Sequence, residues 1–438
     1  MPGSLITTTS FRPPAVLQRA LAIVLAGGIA ALSAAGGARA AELPGVFNGN
    51  AYATVANAKA GPLTAILARG AFQGCACQGT GGKVKTTEID SISVGPVFSV
   101  NKTISSVYTK KTASTAEVRN ASSVEGLSAL GGLITADAIT SVATVDATKK
   151  TVSVSSDGSG FGNLTIAGQQ IPVTVPPNTV VPLPGIGSVT LNKIATHGNL
   201  KKSGSIDVEM ISVDVKVQNG LGLPVGAKIV VAHAIAGFNR KEPPAAFDGQ
   251  AYAVTGNAAL GDDLNNKIGR AAFLTIGCQG THGRTETNSI AGRDINGLLN
   301  TGDGETTAFA GPEGDAQVAR TTSTVSSVGL LSGLIQVNAL QAVATSSLTN
   351  GKSTGSADGS GFSGLTIAGV NIPVTIPPNT TLPLPLLGTV TVNEQTVKTD
   401  GSVTVNGLHI KVTTPNLFGL PVGAELTVAH ASASAAPL

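Results

Sequence analysis

The sequence predicts an all-β protein of two tandem homologous domains, each an antiparallel β-sandwich-like fold. Three observations carry that expectation. Long blocks recur within the chain, hydrophobic residues alternate with period two, and the composition favours half-exposed sheets. Of the 438 residues 42% are hydrophobic, 12% are charged and 3% are aromatic, with no Trp. Such a chain can bury a core, but it must build it from Val, Ile, Leu and Ala. Its many Thr, Ser and Gly residues suit strands joined by tight turns.

The first forty residues read as a signal peptide, residues 1–40. Arg12 and Arg19 form a basic start, Ala20 to Ala35 is apolar, and Ala38-Arg39-Ala40 is a small-x-small cleavage site. The apolar run is shorter than the roughly 20 residues that span a bilayer. An uncleaved signal anchor is the alternative. The segment contributes three arginines and no acid, so 25 basic and 25 acidic residues follow it. That balance excludes the basic footprint of a nucleic-acid binder.

The first β domain is expected over residues 41–237 and the second over 246–432, with a linker at 238–245 and a tail at 433–438. Asp157 to Pro184 matches Asp358 to Pro385 at 21 of 28 positions. Phe47 to Ala53 answers Phe247 to Ala253, and Cys77-Gln78-Gly79-Thr80 answers Cys278-Gln279-Gly280-Thr281. Gly222 to Ala227 answers Gly419 to Ala424, and Ala232-His233-Ala234 answers Ala429-His430-Ala431. The repeat is domain-sized, unlike the short period of a solenoid. A parallel β-helix, the alternative fold, would carry such a period inside each unit. Pro243-Pro244 stiffens the expected linker.

Within the units, Ile211 to Val217, Leu408 to Val412 and Thr389 to Val392 alternate as strands do. Asn406-Gly407 looks like a hairpin turn. Its counterpart Glu209-Met210 would resist that turn, so one long strand with a bulge or bend is expected instead. Val325, Val328 and Leu331 fit a helical spacing, so Val124 to Thr144 and Val325 to Thr345 are read as a short turn or helix leading into a strand.

The runs GGLITADAITSVAT (Gly131 to Thr144), LTIAGQQIPVTVPPNTVVPLPGIGSVTLN (Leu164 to Asn192) and LGLPVGAKIVVAHA (Leu221 to Ala234), with their second-copy counterparts, resemble the choice-of-anchor P family of exported bacterial proteins. The resemblance covers most of both units except Lys83 to Ala116 and Gly283 to Gln317. It implies an exported domain with a variable carboxyl-terminal attachment signal and supplies no catalytic residues. The end of the chain, Ala431 to Leu438, shows no sorting motif or anchoring helix, which favours release or non-covalent attachment.

Three cysteines are present: Cys75, Cys77 and Cys278. Cys77 and Cys278 are equivalent, and a disulfide between them would join the two domains. Cys75-Ala76-Cys77 could instead hold a soft metal, but no His lies near it. His233 and His430 are read as hydrogen-bonded strand-end residues, and His282 as solvated. Asp157 and Asp358 are read as turn residues, since a calcium loop needs more oxygens. Neither a dinucleotide fingerprint nor a phosphate loop is complete. Asp137, Asp207 and Glu209 are replaced by Asn338, Thr404 and Asn406, so no shared carboxylate pair supports glycoside hydrolysis. No nucleophile-elbow motif appears.

The expected function is an exported, non-catalytic structural or adhesive protein, secreted or cell-surface associated, with no catalytic, metal or cofactor residues. The alternative is an extracellular glycan- or ligand-binding module using Tyr52 and Tyr252, with envelope polysaccharide or surface proteins as partners. An envelope hydrolase stands third. No transmembrane helix is expected after signal cleavage.

Overall fold

Strands with one apolar face are stable when their sheet buries that face against another layer. The computed structural model, which describes residues 42–57, 70–94, 97–173, 175–257, 270–295 and 298–438, has that arrangement twice. The signal peptide lies outside the described residues. In copy 1 a six-stranded sheet has the order Thr179–Leu183, Gly187–His197, Ser203–Val215, Lys228–Asn239, Val46–Asn57, Gln73–Gly74. It faces a ten-stranded sheet built around the long hairpin Thr115–Ala129 and Ile134–Thr148. Copy 2 repeats the six-stranded order with Thr380–Leu384, Gly388–Val397, Val403–Val412, Glu425–Ala436, Ala246–Asn257 and Leu274–Ile276. Its ten-stranded sheet is built on Ala316–Leu330 and Ile335–Thr349. The pairings around these central strands are antiparallel, which rules out the parallel β-helix.

Each core lies between its two sheets. In copy 1 it joins Ile206, Val208, Val213 and Phe238 of one sheet to Val118, Val124, Ile139 and Val145 of the other. Without Trp, much of it is alanine, including Ala51, Ala53, Ala143, Ala234 and Ala236. Small side chains let the sheets approach closely, and buried polar groups then reach across. Ser141 Oγ donates to the Val208 carbonyl at 2.9 Å, and Asn120 Nδ2 to the Ile235 carbonyl at 2.5 Å. Ser323 Oγ donates to the Tyr252 carbonyl at 2.9 Å in copy 2. A buried hydroxyl without such a partner would destabilise the core.

The strands bend along one line in each six-stranded sheet. Asn192 and Ala232 have φ of 48° and 55°, and their counterparts Asn393 and Ala429 have 49° and 54°. Ladder pairing skips these residues and resumes in the same register, as between Glu209↔His233 and Ile211↔Val231. Because both strands skip one residue, this is a bend and not a bulge. Val403–Val412 runs through Asn406-Gly407 without turning back, as the comparison with Glu209-Met210 implies. A Cβ on Gly407 would sit 2.7 Å from Leu340 Cγ, inside a filled core. Gly407→Ala is therefore expected to destabilise the protein by about 1–3 kcal/mol through overpacking. A chemical-denaturation midpoint equal to the wild type would show that Leu340 yields.

The helical reading near Val124 and Val325 is overturned. Val124 lies within the Thr115–Ala129 strand and Val325 within the Ala316–Leu330 strand. Gly126 and Ser327 take φ of 62° and 46°, which shifts the inward-facing phase by one residue. Val325 and Val328, three apart, therefore both point inward. A bent strand has imitated helical spacing.

The domain limits also move. Phe238 is core and the Lys228–Asn239 strand runs one residue past it, so the connection begins at Arg240. It is tied to copy 1, with Arg240 Nε donating to the Lys201 carbonyl at 3.0 Å and Glu242 Oε1 accepting from Gly45 N at 3.0 Å. The last strand continues to Ala436, and Ala433 and Ala435 are buried where a tail was expected.

Equivalent residues meet where the copies touch. Cys77 and Cys278 form a disulfide with their Cα atoms 5.0 Å apart. Phe72 and Phe273 make an edge-on ring contact at 5.1 Å. Self-equivalent contacts of this kind define an isologous, pseudo-two-fold junction.

Candidate functional site

The backbone bend sets out one row of side chains on the outer face of each six-stranded sheet. In copy 1 the row follows the pairings Lys193↔Glu209, Glu209↔His233 and Tyr52↔His233. In copy 2 it follows Glu394↔Asn406, Asn406↔His430 and Tyr252↔His430. Each His directly follows an alanine held in the left-handed region, a conformation disfavoured by about 1–2 kcal/mol. Strain repeated at equivalent positions beside polar residues points to a constrained site.

The rows carry opposite charge patterns. In copy 1 Glu209 sits between two ammoniums, Lys193 Nζ and Lys228 Nζ, each 3.0 Å away. Burial works against the Glu209 carboxylate, yet the hydrogen bonds from Lys228 and Lys193 outweigh it and hold its pKa below the ordinary value. His233 Nε2 donates to Asp207 Oδ1 at 2.6 Å, while His233 Nδ1 is buried without a partner. In copy 2 glutamates replace the lysines. Glu394 and Glu425 approach the two nitrogens of His409 at 2.8 and 3.4 Å. Asn406 Nδ2 donates to Glu394 Oε2 at 2.6 Å. Its Oδ1 therefore accepts from His430 Nδ1, also at 2.6 Å. This leaves His430 Nε2 as a buried acceptor without a donor.

Ligand atoms of Asp207, Glu209 and His233 lie within 4.8 Å of one another. That donor set suits a small divalent cation by residue type. The two lysines already neutralise Glu209, however, and Asp207 is bonded to the imidazole. The cluster is a closed ion-pair network.

The tyrosines expected to contact a ligand are not open platforms. Tyr52 and Tyr252 are only 6% and 8% exposed. Each lies on its histidine, with ring centroids 4.3 Å apart. A sugar-stacking face must be accessible, so this arrangement moves ligand recognition away from the Tyr rings. His233 and His430 are in mid-strand, not at strand ends. Asp157 and Asp358 sit in exposed turns whose backbone N–H groups bond to Ser155 and Ser356. Cys77 is committed to the disulfide, which removes the Cys75-Ala76-Cys77 metal pair. A cleft beside the disulfide contains Glu42, Lys111 and Glu242. Glu242 is held by Gly45 and Glu42 faces Lys111 at 4.0 Å, so neither stands as a free acid.

The row of copy 2 ends in a residue that sequence reasoning passed over. Arg270 lies 5.6 Å from the Tyr252 ring centre and 5.3 Å from that of Phe273. Its Nη1 donates to Gln250 Oε1 at 3.0 Å. A signal was present, because Arg69-Gly70-Ala71-Phe72 answers Arg270-Ala271-Ala272-Phe273. Arg69 lies outside the described residues. Comparisons of the chain with protein families, curated proteins and solved structures found no match.

Proposed function

We propose that this protein is an exported, non-catalytic structural or adhesive component of a bacterial envelope, secreted or held at the cell surface. The observation that carries the reading is the buried Cys77–Cys278 disulfide between the two copies. Such a bond persists in oxidising compartments and is rare in a reducing cytosol. The leader-like first forty residues and the resemblance to the choice-of-anchor P family support the same reading. So do ionisable groups spent on one another: Glu209 on two lysines, Asp207 on His233, Glu394 on His409. A duplicated sandwich stapled at its junction holds its two copies together under load.

Cell fractionation of the native host, with mass spectrometry of the recovered chain, tests this. The expected result is a chain beginning near Ala41 in the medium or envelope fraction, with the Cys77 and Cys278 peptides linked under non-reducing conditions. A full-length chain in the cytosol with all three thiols reduced would overturn it.

A further inference from the structure

A leucine that is both exposed and left-handed gives a fold nothing. It buries no apolar surface, and its backbone conformation costs stability. Leu386 is such a residue. It has φ of 58° in the turn between Thr380–Leu384 and Gly388–Val397, and it is 81% exposed. Copy 1 places Gly185 there at φ of 73°, the residue such a turn favours. The next residue, Leu387, is buried and anchors the turn, as Ile186 does in copy 1. The fold therefore needs no side chain at position 386.

A second loop is bonded to this turn. The Thr413 and Thr414 N–H groups both donate to the Leu387 carbonyl, at 2.9 and 3.2 Å. The loop, from Thr413 to Ala424, carries Leu417 at 97% exposed, and Phe418 and Val422 are exposed beside it. Copy 1 has Gly220 where copy 2 has Leu417. The frame of the loop is nevertheless the same in both copies. Asn416 Nδ2 donates to the Thr414 and Leu420 carbonyls, and Asn416 Oδ1 accepts from the Phe418 and Leu420 N–H groups. Asn219 bonds in the same way in copy 1. Leucine thus stands for glycine at two linked turns without serving the fold at either. Neither Leu382 to Asn393 nor Val412 to Ala424 contains an ionisable residue, whereas copy 1 has Lys216 where copy 2 has Thr413.

We propose that this uncharged tip of copy 2, led by Leu386, Leu417, Phe418 and Val422, dips into the headgroup–acyl boundary of a lipid bilayer and holds the protein to a membrane surface. Apolar side chains that stand clear of the protein can bury there without a complementary partner surface. The Asn416 bonds occupy backbone groups of the loop internally, which lowers the cost of taking it out of water. A protein partner fits less well. Four apolar side chains on two turns fall well short of the roughly 20–30 residues a side of a stable protein interface. Without a basic residue in the tip, the attraction is apolar and needs no anionic lipid. Vesicle binding by the purified chain does not depend on where the cell places it, so its failure would leave the export reading intact.

Flotation of the chain from Ala41 onward with phosphatidylcholine vesicles tests the proposal. Binding that survives high salt is expected. Leu386→Gly combined with Leu417→Gly, the residues of copy 1, should weaken it by roughly tenfold or more. The melting temperature should stay level or rise, because the strain at position 386 is relieved. Leu417→Asp should weaken binding through its charge, and it keeps the test decisive if the double variant misfolds. The chain has no Trp, so Leu417→Trp places a single reporter whose emission should shift to the blue when vesicles are added. Absence of flotation, binding abolished by salt, binding untouched by the substitutions, or an unshifted emission would each overturn the proposal. So would a lipid-free dimer that the double variant loses, which would assign the tip to a second copy of this chain.

Discussion

Replacing Cys77 and Cys278 together by Ala is expected to split thermal unfolding into two transitions and to lower the first of them. The bond closes a span of 201 residues, so it restrains the unfolded chain strongly. Crosslinks are typically worth about 2–4 kcal/mol, below the roughly 5 kcal/mol that loop entropy alone would give for a span of this length. For domains of this size that corresponds to a shift of roughly 4–16 °C. The effect should fall mainly on coupling between the copies, since each has its own core. Reducing the wild-type protein should reproduce it. Cys75→Ser should not, because burial pushes the Cys75 thiol up to about 12, against the pull of Lys85, and keeps it unreactive. Scanning calorimetry with and without reductant is the measurement. One unshifted, single transition in the double variant would mean that the junction holds without the crosslink.

Acid should destabilise the protein through His430, and His430→Gln should remove that component. Burial, the Arg270 charge and His409 together lower the His430 pKa from 6.5 to about 3. A histidine whose pKa is depressed in the folded state stays neutral there but takes up a proton on unfolding. Stability is then full above about pH 6.5 and falls as pH drops toward 3, with a slope approaching about 1.4 kcal/mol per unit. At pH 5 the loss from this group is about 2 kcal/mol. The groups around it are Tyr252 on the neighbouring strand, Asn406 and His409 on the other, Glu394 behind Asn406, and Arg270. Denaturant titrations at pH 7.5, 6 and 5 on both proteins isolate the difference. Parallel pH dependence in the two would remove His430 as the cause.

Much of the architecture was legible because duplication repeats every constraint. Asp157 to Pro184 and Asp358 to Pro385 share turns, prolines and alternation, so the two-copy, antiparallel reading rests on two independent samples of one pattern. The comparison of Asn406-Gly407 with Glu209-Met210 also removed a false hairpin. The same method failed at Val325 and Val328. Nothing about Ser327 announces a positive φ, and without it the spacing of the valines looks helical. Comparison by equivalence also hid the polar row, because Lys193, Glu209 and Lys228 have become Glu394, Asn406 and Glu425.

The sequence by itself determined the strand-rich class, the repeat, the aromatic-poor core and the equivalence of Cys77 with Cys278, because these follow from composition and local periodicity. Only the tertiary structure decided that strands bend at Ala232 and Ala429, that Tyr252 lies under His430, and that Arg270 stands over the rings of Tyr252 and Phe273. Those facts depend on which strands become neighbours. Residues 252, 270, 406 and 430 meet only through sheet pairing, and pairing is set by burying two whole sheet faces at once, a condition no single segment of chain contains.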